Sequence, residues 1–97
     1  MICGFEHNKK INHALKSIST LFKEIICTET GIRKSMPSET IKTTINTNKA
    51  ISINSINEAL NYTLKKMKKN DVLFIIGSHF FAPTLSDRYK NCFAIDK

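Results

Sequence analysis

Short continuous apolar runs alternate along the chain with longer stretches whose apolar residues recur at helical spacing. The runs at residues 1–5, 24–28 and 72–76 predict strands, because a strand that is buried on both faces has no polar side. The run at 72–76 is the most apolar, and we expect it to form the central strand. Residues 50–54 alternate apolar and polar side chains, which predicts a strand nearer an edge of the sheet.

One helix is predicted between the strands at 1–5 and 24–28, and a second helix between the strands at 24–28 and 50–54. Apolar residues from position 11 to position 22 follow a 3.6-residue period, which places Leu21 on the buried face and Ser19 in water. Pro37 predicts the start of the second helix, because proline suits the first helical turn.

The third helix has the clearest start signal. Ser55 and Glu58 form an S-x-x-E capping box, and the apolar stripe that follows continues through Leu64. Residues 79–89 predict a fourth helix, and residues 92–95 predict a short last edge strand. Strands that alternate with helices in this way predict an α/β fold, with a mainly parallel Rossmann-like sheet and helices on both faces.

Length and composition limit the classes of protein that fit. With 97 residues and 41% hydrophobic side chains, the chain suits one folded domain, and no apolar run reaches the length of a membrane span. We expect a cytoplasmic monomer without a membrane partner. The three cysteines are an odd set with no C-x-x-C spacing, which favours reduced core residues over disulfides or zinc. The net charge of +7 could attract nucleic acid or an anionic ligand, and we do not expect a nucleic-acid partner.

Three loops at the predicted carboxyl ends of strands carry candidate anion-binding residues, because ligands of parallel sheets collect there. Lys9 follows the first strand, Arg33 follows the second, and the segment Gly77, Ser78, His79 follows the fourth. Each of these residues could also lack a ligand. Lys9 and Arg33 could be solvated surface residues, and Ser78 could cap a helix. We expect neither a Ser-His nucleophile nor a metal site, since no orienting group and no ligand spacing accompany the histidines.

Taken in order, these loops resemble the C-terminal domain of folylpolyglutamate synthase and the bifunctional dihydrofolate synthase, in the Mur ligase superfamily. The resemblance lies in GFEHNKKI at 4–11, in RKSMPSETI at 33–41, and in residues 54–85, which contain S-x-x-E-A-L and then Gly-Ser after an apolar strand. Lys10 stands where the family has an acidic residue, and Ile32 replaces its usual proline.

The resemblance implies an ATP-dependent ligase of folate biosynthesis and one-carbon metabolism that joins L-glutamate to folate or dihydropteroate. It implies that Ser78 and Lys9, with Gly77 and His79 beside them, bind on the glutamate side; Arg33 matches a loop position without a defined role. No P-loop sequence occurs in residues 1–97. We therefore expect a single partial domain, incomplete at its N-terminus, with no catalytic residue of its own.

In the complete enzyme, ATP and Mg²⁺ would bind mainly to an N-terminal domain that residues 1–97 do not contain. The alternative from another class is a small nonenzymatic α/β module that binds a phosphorylated or nucleotide ligand at the same strand ends. Both alternatives require the same fold and the same anion-binding loops, so only the identity of the ligand separates them.

Overall fold

The computed structural model describes residues 1–6, 12–31, 34–77 and 81–88. In these residues four strands alternate with four helices. In chain order they are β1 (Ile2–Gly4), α1 (Asn12–Ser19), β2 (Ile25–Cys27), α2 (Ser38–Ile45), β3 (Ala50–Ser52), α3 (Ile56–Lys66), β4 (Ile75–Gly77) and α4 (Ala82–Arg88). The predicted order of elements is confirmed up to α4, and the strand predicted at 92–95 lies outside the described residues.

The four strands form one sheet in the order β3-β2-β1-β4, and all three neighbouring pairs are parallel. The chain first adds β2 and β3 on one side of β1, and it then returns across the sheet to add β4 on the other side. Parallel neighbours need crossover connections, which the intervening helices supply. The predicted α/β class with a parallel sheet is confirmed, and β3 lies at an edge as predicted.

Alternating side chains of the strands point into two separate cores, one on each face of the sheet. The first core joins the sheet to α1 and α2, and its buried residues include Cys3, Cys27, Leu15, Ile41 and Ile45. The second joins the sheet to α3 and α4, and its buried residues include Ile2, Ile26, Ala59, Leu60 and Phe81. Helices therefore cover both faces, as the sequence pattern predicts.

The third helix begins as predicted, but its buried stripe is shorter than predicted. Ser55 is the N-cap of α3, and its Oγ accepts a hydrogen bond of 3.4 Å from the backbone N–H of Glu58. Ile56, Ala59 and Leu60 are buried, whereas Leu64 is 39% exposed. The prediction for Leu64 is wrong because Tyr62 is the last residue of α3 that packs against the second core.

The end of the first helix also differs from the helical pattern. Leu21 is 77% exposed, and Ser19 is buried, which is the reverse of the prediction. The reason is that α1 ends at Ser19, where the serine Oγ donates to the Lys16 carbonyl at 2.7 Å, and the chain turns with Leu21 N–H donating to Ile18. Beyond a helix end the 3.6-residue period no longer determines which side chains face the core.

In the described part of the chain, the most apolar run forms only a short strand at the end of the sheet. Within the described residues β4 pairs only with β1, and it contains only the last two residues of the run followed by Gly77. Val72 and Phe74 are 74% and 52% exposed, while Ile75 and Ile76 are half-buried. The prediction that this whole run is a strand buried on both faces is therefore wrong for Val72 and Phe74, because apolar content does not specify which neighbour covers a strand.

Candidate functional site

The carboxyl ends of β1 and β4 lie side by side at the point where the strand order reverses. Gly4 ends β1, Gly77 ends β4, and the two glycines are partners in the parallel register. In open parallel sheets this reversal leaves a crevice beyond the strand ends, since the connections leave toward opposite faces of the sheet. We call the surroundings of these two strand ends the switch-point site.

Only glycine fits at the end of β4. Gly77 has a backbone φ of +127°, which L residues rarely adopt, and a Cβ atom there would overlap the carbonyl group of Gly4. Gly77 is also exposed. The two strand ends therefore approach each other more closely than any side chain would permit, and the backbone at Gly77 is accessible to a ligand.

The end of β1 is closed from the side of α4. A Cβ atom at Gly4 would lie 2.5 Å from Cζ of Phe81 and 2.9 Å from the carbonyl oxygen of Thr28. Phe81 is buried, directly precedes α4 and belongs to the second core. The aromatic ring and the end of β2 thus form the inner wall of the switch-point site.

Two buried threonine hydroxyls follow β2 at the same edge. Among the described residues, neither Thr28 Oγ1 nor Thr30 Oγ1 has a hydrogen-bond partner. The Thr28 N–H donates to the Cys3 carbonyl at 2.8 Å, which holds this residue beside the end of β1. A buried hydroxyl without a partner costs about 1–3 kcal/mol, so a ligand or water atom that bonds to these groups would stabilise this edge.

The polar cluster between β2, β3 and α2 is fully used by the fold. Ser38 Oγ donates to Asn54 Oδ1 at 2.7 Å and accepts from Ser52 Oγ at 2.7 Å. The backbone N–H of Ser38 donates to Glu29 Oε2 at 3.0 Å, so a carboxylate already occupies the N-terminus of α2. This cluster anchors α2 to the sheet and leaves the α2 N-terminus occupied by the chain's own carboxylate.

The loop that follows β2 crosses back to the end of β1. The Met36 N–H donates to the Phe5 carbonyl at 2.8 Å, and Ser35 forms an antiparallel bridge with Glu6. Ser35 Oγ in turn accepts from the Thr30 N–H at 2.8 Å. The described ends of the first and second predicted loops are therefore held together at the switch-point site.

The structure places one of the five predicted site residues. Gly77 lies in the switch-point site, as the sequence predicts for the residue that ends the fourth strand. Ser78, His79, Lys9 and Arg33 lie outside the described residues. Ser78 follows Gly77 directly in the sequence.

Gly4, Thr28 and Phe81 were not predicted as site residues. Gly4 directly follows the apolar residues 1–3, as Gly77 follows residues 72–76, and this is a signal for Gly4 in the sequence. Nothing in the sequence indicates the roles of Thr28 and Phe81, because their positions beside Gly4 depend on the strand order and on the path into α4.

The cysteine thiols belong to the core. Cys3 and Cys27 are free and buried, and they are partners on the neighbouring strands β1 and β2. This confirms the prediction of reduced core cysteines for these two, whereas Cys92 lies outside the described residues. The hydrogen bond with the Cys27 thiol, together with burial, raises the pKa of Cys3, so the Cys3 thiol is a poor nucleophile.

Across the described ranges, no three His, Cys, Asp or Glu side chains are grouped closely enough to hold a metal ion. No helix in the same ranges has the length and the apolar character needed to cross a bilayer.

Comparisons with protein-family models, with curated proteins and with solved structures give no significant match.

Proposed function

We propose that residues 1–97 act as the glutamate-binding domain of a cytoplasmic, ATP-dependent ligase that joins L-glutamate to folate or dihydropteroate. In this proposal the domain is of the Mur ligase C-terminal type and does not catalyse the reaction alone. ATP and Mg²⁺ bind mainly to a separate ATP-binding domain, which activates the folate carboxylate as an acyl phosphate. The proposal rests on one observation. Gly4 and Gly77 are partners in the parallel register of β1 and β4, where the strand order reverses.

That register supports the proposal because it joins segments that resemble the family independently in the sequence. The GFEHNKKI segment begins at Gly4, and the Gly-Ser pair begins at Gly77. The RKSMPSETI segment is held to the first by the Met36 to Phe5 hydrogen bond and by the Glu6 to Ser35 bridge. Segments that are far apart in the chain thus leave or enter one edge of the sheet, where a single ligand can contact all of them.

The proposed roles follow from the chemistry of a dicarboxylate substrate. Lys9 supplies positive charge for a carboxylate, Ser78 donates a hydroxyl hydrogen bond, and Gly77 lets the ligand approach the backbone. His79 lies next to this group in the sequence, and Arg33 is suited to contact an oxyanion through its planar guanidinium group.

The second candidate is a nonenzymatic module that binds a phosphorylated or nucleotide ligand at the same site. The unpartnered hydroxyls of Thr28 and Thr30 favour this candidate as well, because hydroxyl groups donate to phosphate and carboxylate oxygens alike. Calorimetric titration of the 97-residue chain with L-glutamate and, separately, with inorganic phosphate and a nucleoside monophosphate separates the two. Binding of glutamate alone supports the ligase domain, and binding of the phosphorylated compounds alone supports the module.

The activity is tested by joining the chain to the ATP-binding domain of an active folylpolyglutamate synthase. We expect ADP release that requires both the folate substrate and L-glutamate, and no ADP release from the 97-residue chain alone. In the joined enzyme, Ser78→Ala should raise the KM for L-glutamate more than the KM for ATP. Equal effects on both KM values would contradict the role of Ser78. ADP release from the chain alone would contradict the proposal that a separate domain binds ATP.

A further inference from the structure

A second concave surface lies at the opposite edge of the sheet, where the strands begin. It is a groove of about 490 Å³. We call it the amino-edge groove, and its lining includes Leu21, Phe22, Lys23, Lys68, Val72 and Phe74. A volume of this size accommodates a few side chains or a small ligand, and the groove shares no residue with the switch-point site.

Exposed apolar side chains form part of the floor of the amino-edge groove. Leu21, Val72 and Phe74 are the most exposed of the large hydrophobic side chains in the described ranges, and all three line this groove. The Phe74 ring packs edge-on against the ring of Phe22, with 5.5 Å between the ring centroids, so the floor is held in place by an aromatic contact. Exposed apolar side chains that cluster in this way indicate a binding surface.

Three lysines and two acidic side chains line the groove, so positive charge is in excess there. Of the two acidic side chains in the lining, Glu24 is paired with Lys66 at 2.7 Å, and Asp71 accepts the backbone N–H of Lys68 at 2.8 Å. Within the described part of the chain, the ammonium groups of Lys23 and Lys68 form no ion pair. The rim therefore presents free positive charge beside an apolar floor.

We propose that the amino-edge groove binds an amphipathic segment of a partner protein, with leucine-type side chains on the floor and acidic side chains against the lysine rim. A second copy of this chain fits less well, because both copies carry a net charge of +7. Three exposed side chains also provide far less than the roughly 800 Å² per partner that a stable dimer of folded chains buries. A short acidic segment needs less area and gains from the charge of the rim.

The experiment measures fluorescence anisotropy of a labelled helical peptide with leucine at i, i+3, i+4 and i+7 and glutamate elsewhere. We expect saturable binding to the 97-residue chain that weakens as salt is added. Leu21→Ser should weaken binding by at least about tenfold, the effect of losing one anchoring side chain. The matched control Leu64→Ser changes an exposed leucine outside the groove and should leave binding unchanged.

Two variants that reverse the charge of a lysine test the rim of the groove separately from its apolar floor. Lys68→Glu should weaken binding of the acidic peptide and reduce its salt dependence, whereas Lys65→Glu, on the exposed side of α3, should have little effect. The proposal is overturned if the acidic peptide does not bind, or if the same peptide with lysine in place of glutamate binds equally well. It is also overturned if sedimentation shows that the chain dimerises through Leu21, or if anionic vesicles bind at the groove while the peptide does not.

Discussion

Replacing Gly77 with alanine tests whether the two strand ends meet as closely as the structure indicates. The added Cβ atom would overlap the Gly4 carbonyl group, and the backbone φ of +127° would be strained for any L residue. A residue forced into a rarely populated backbone conformation costs about 1–3 kcal/mol. The overlap involves backbone and cannot be relieved by rotating a side chain, so it adds about 1–3 kcal/mol, as overpacking does.

The expected loss for Gly77→Ala is therefore about 2–6 kcal/mol, a large part of the roughly 5–15 kcal/mol that stabilises a typical domain. Gly31→Ala is the matched control. Gly31 also has a positive φ, of +81°, but nothing lies within 4 Å of its added Cβ atom. That variant should lose only the conformational cost of about 1–2 kcal/mol.

Urea denaturation followed by far-ultraviolet circular dichroism gives the free energy of unfolding for each variant. Gly4→Ala belongs in the same series, because its Cβ atom would meet both the Phe81 ring and the Thr28 carbonyl. We expect Gly31→Ala to be the mildest change and Gly77→Ala the most severe. Equal losses for Gly31→Ala and Gly77→Ala would refute the close approach of β1 and β4.

Three further substitutions probe how the elements are held. Glu29→Gln weakens the bond to Ser38 and removes the charge at the α2 N-terminus, so it should cost about 1 kcal/mol in urea denaturation; Glu39→Gln, which keeps that bond, should cost less. Because the pKa of Cys3 is raised in the fold, its unfolded thiol ionises first, so stability should fall as pH rises above about 9. Replacing both coupled thiols, Cys3→Ala with Cys27→Ala, should flatten that fall, and an unchanged slope would contradict the pKa shift. Ser55→Ala should cost about 1 kcal/mol through the lost N-cap of α3, and an unchanged melting temperature would show that the cap contributes nothing.

Local patterns predicted the elements because each pattern has a local physical cause. Pro37 and the Ser55 cap determine where α2 and α3 begin, and short apolar runs mark β1 and β2. These features act within a few residues, so they can be read without knowledge of the fold. The two opposed cores follow from the same alternation of strand and helix.

The wrong predictions concern side chains whose burial depends on distant parts of the chain. Val72 and Phe74 resemble strand residues in composition, yet the described residues provide no neighbouring strand on that side of β4. Leu21 fits the helical period, but α1 ends two residues before it. An apolar side chain specifies a preference for burial and not the element that will cover it.

The switch-point site was predictable only in part for the same reason. Gly77 was identified because a glycine ends an apolar run, and that signal is local. The pairing of Gly77 with Gly4, and the closeness of Thr28 and Phe81, required the strand order β3-β2-β1-β4. Strand order depends on long-range contacts that no single segment encodes.

Amide NMR of the 97-residue chain during titration with L-glutamate tests directly whether the switch-point site binds this substrate. We predict saturable shifts at millimolar ligand for the amides of Phe5, Thr28, Gly77 and Phe81, since a domain that lacks its ATP-binding partner should bind weakly. Amides of the amino-edge groove, such as that of Val72, should not move. The absence of saturable shifts at the strand ends, or shifts confined to the groove, would contradict the account.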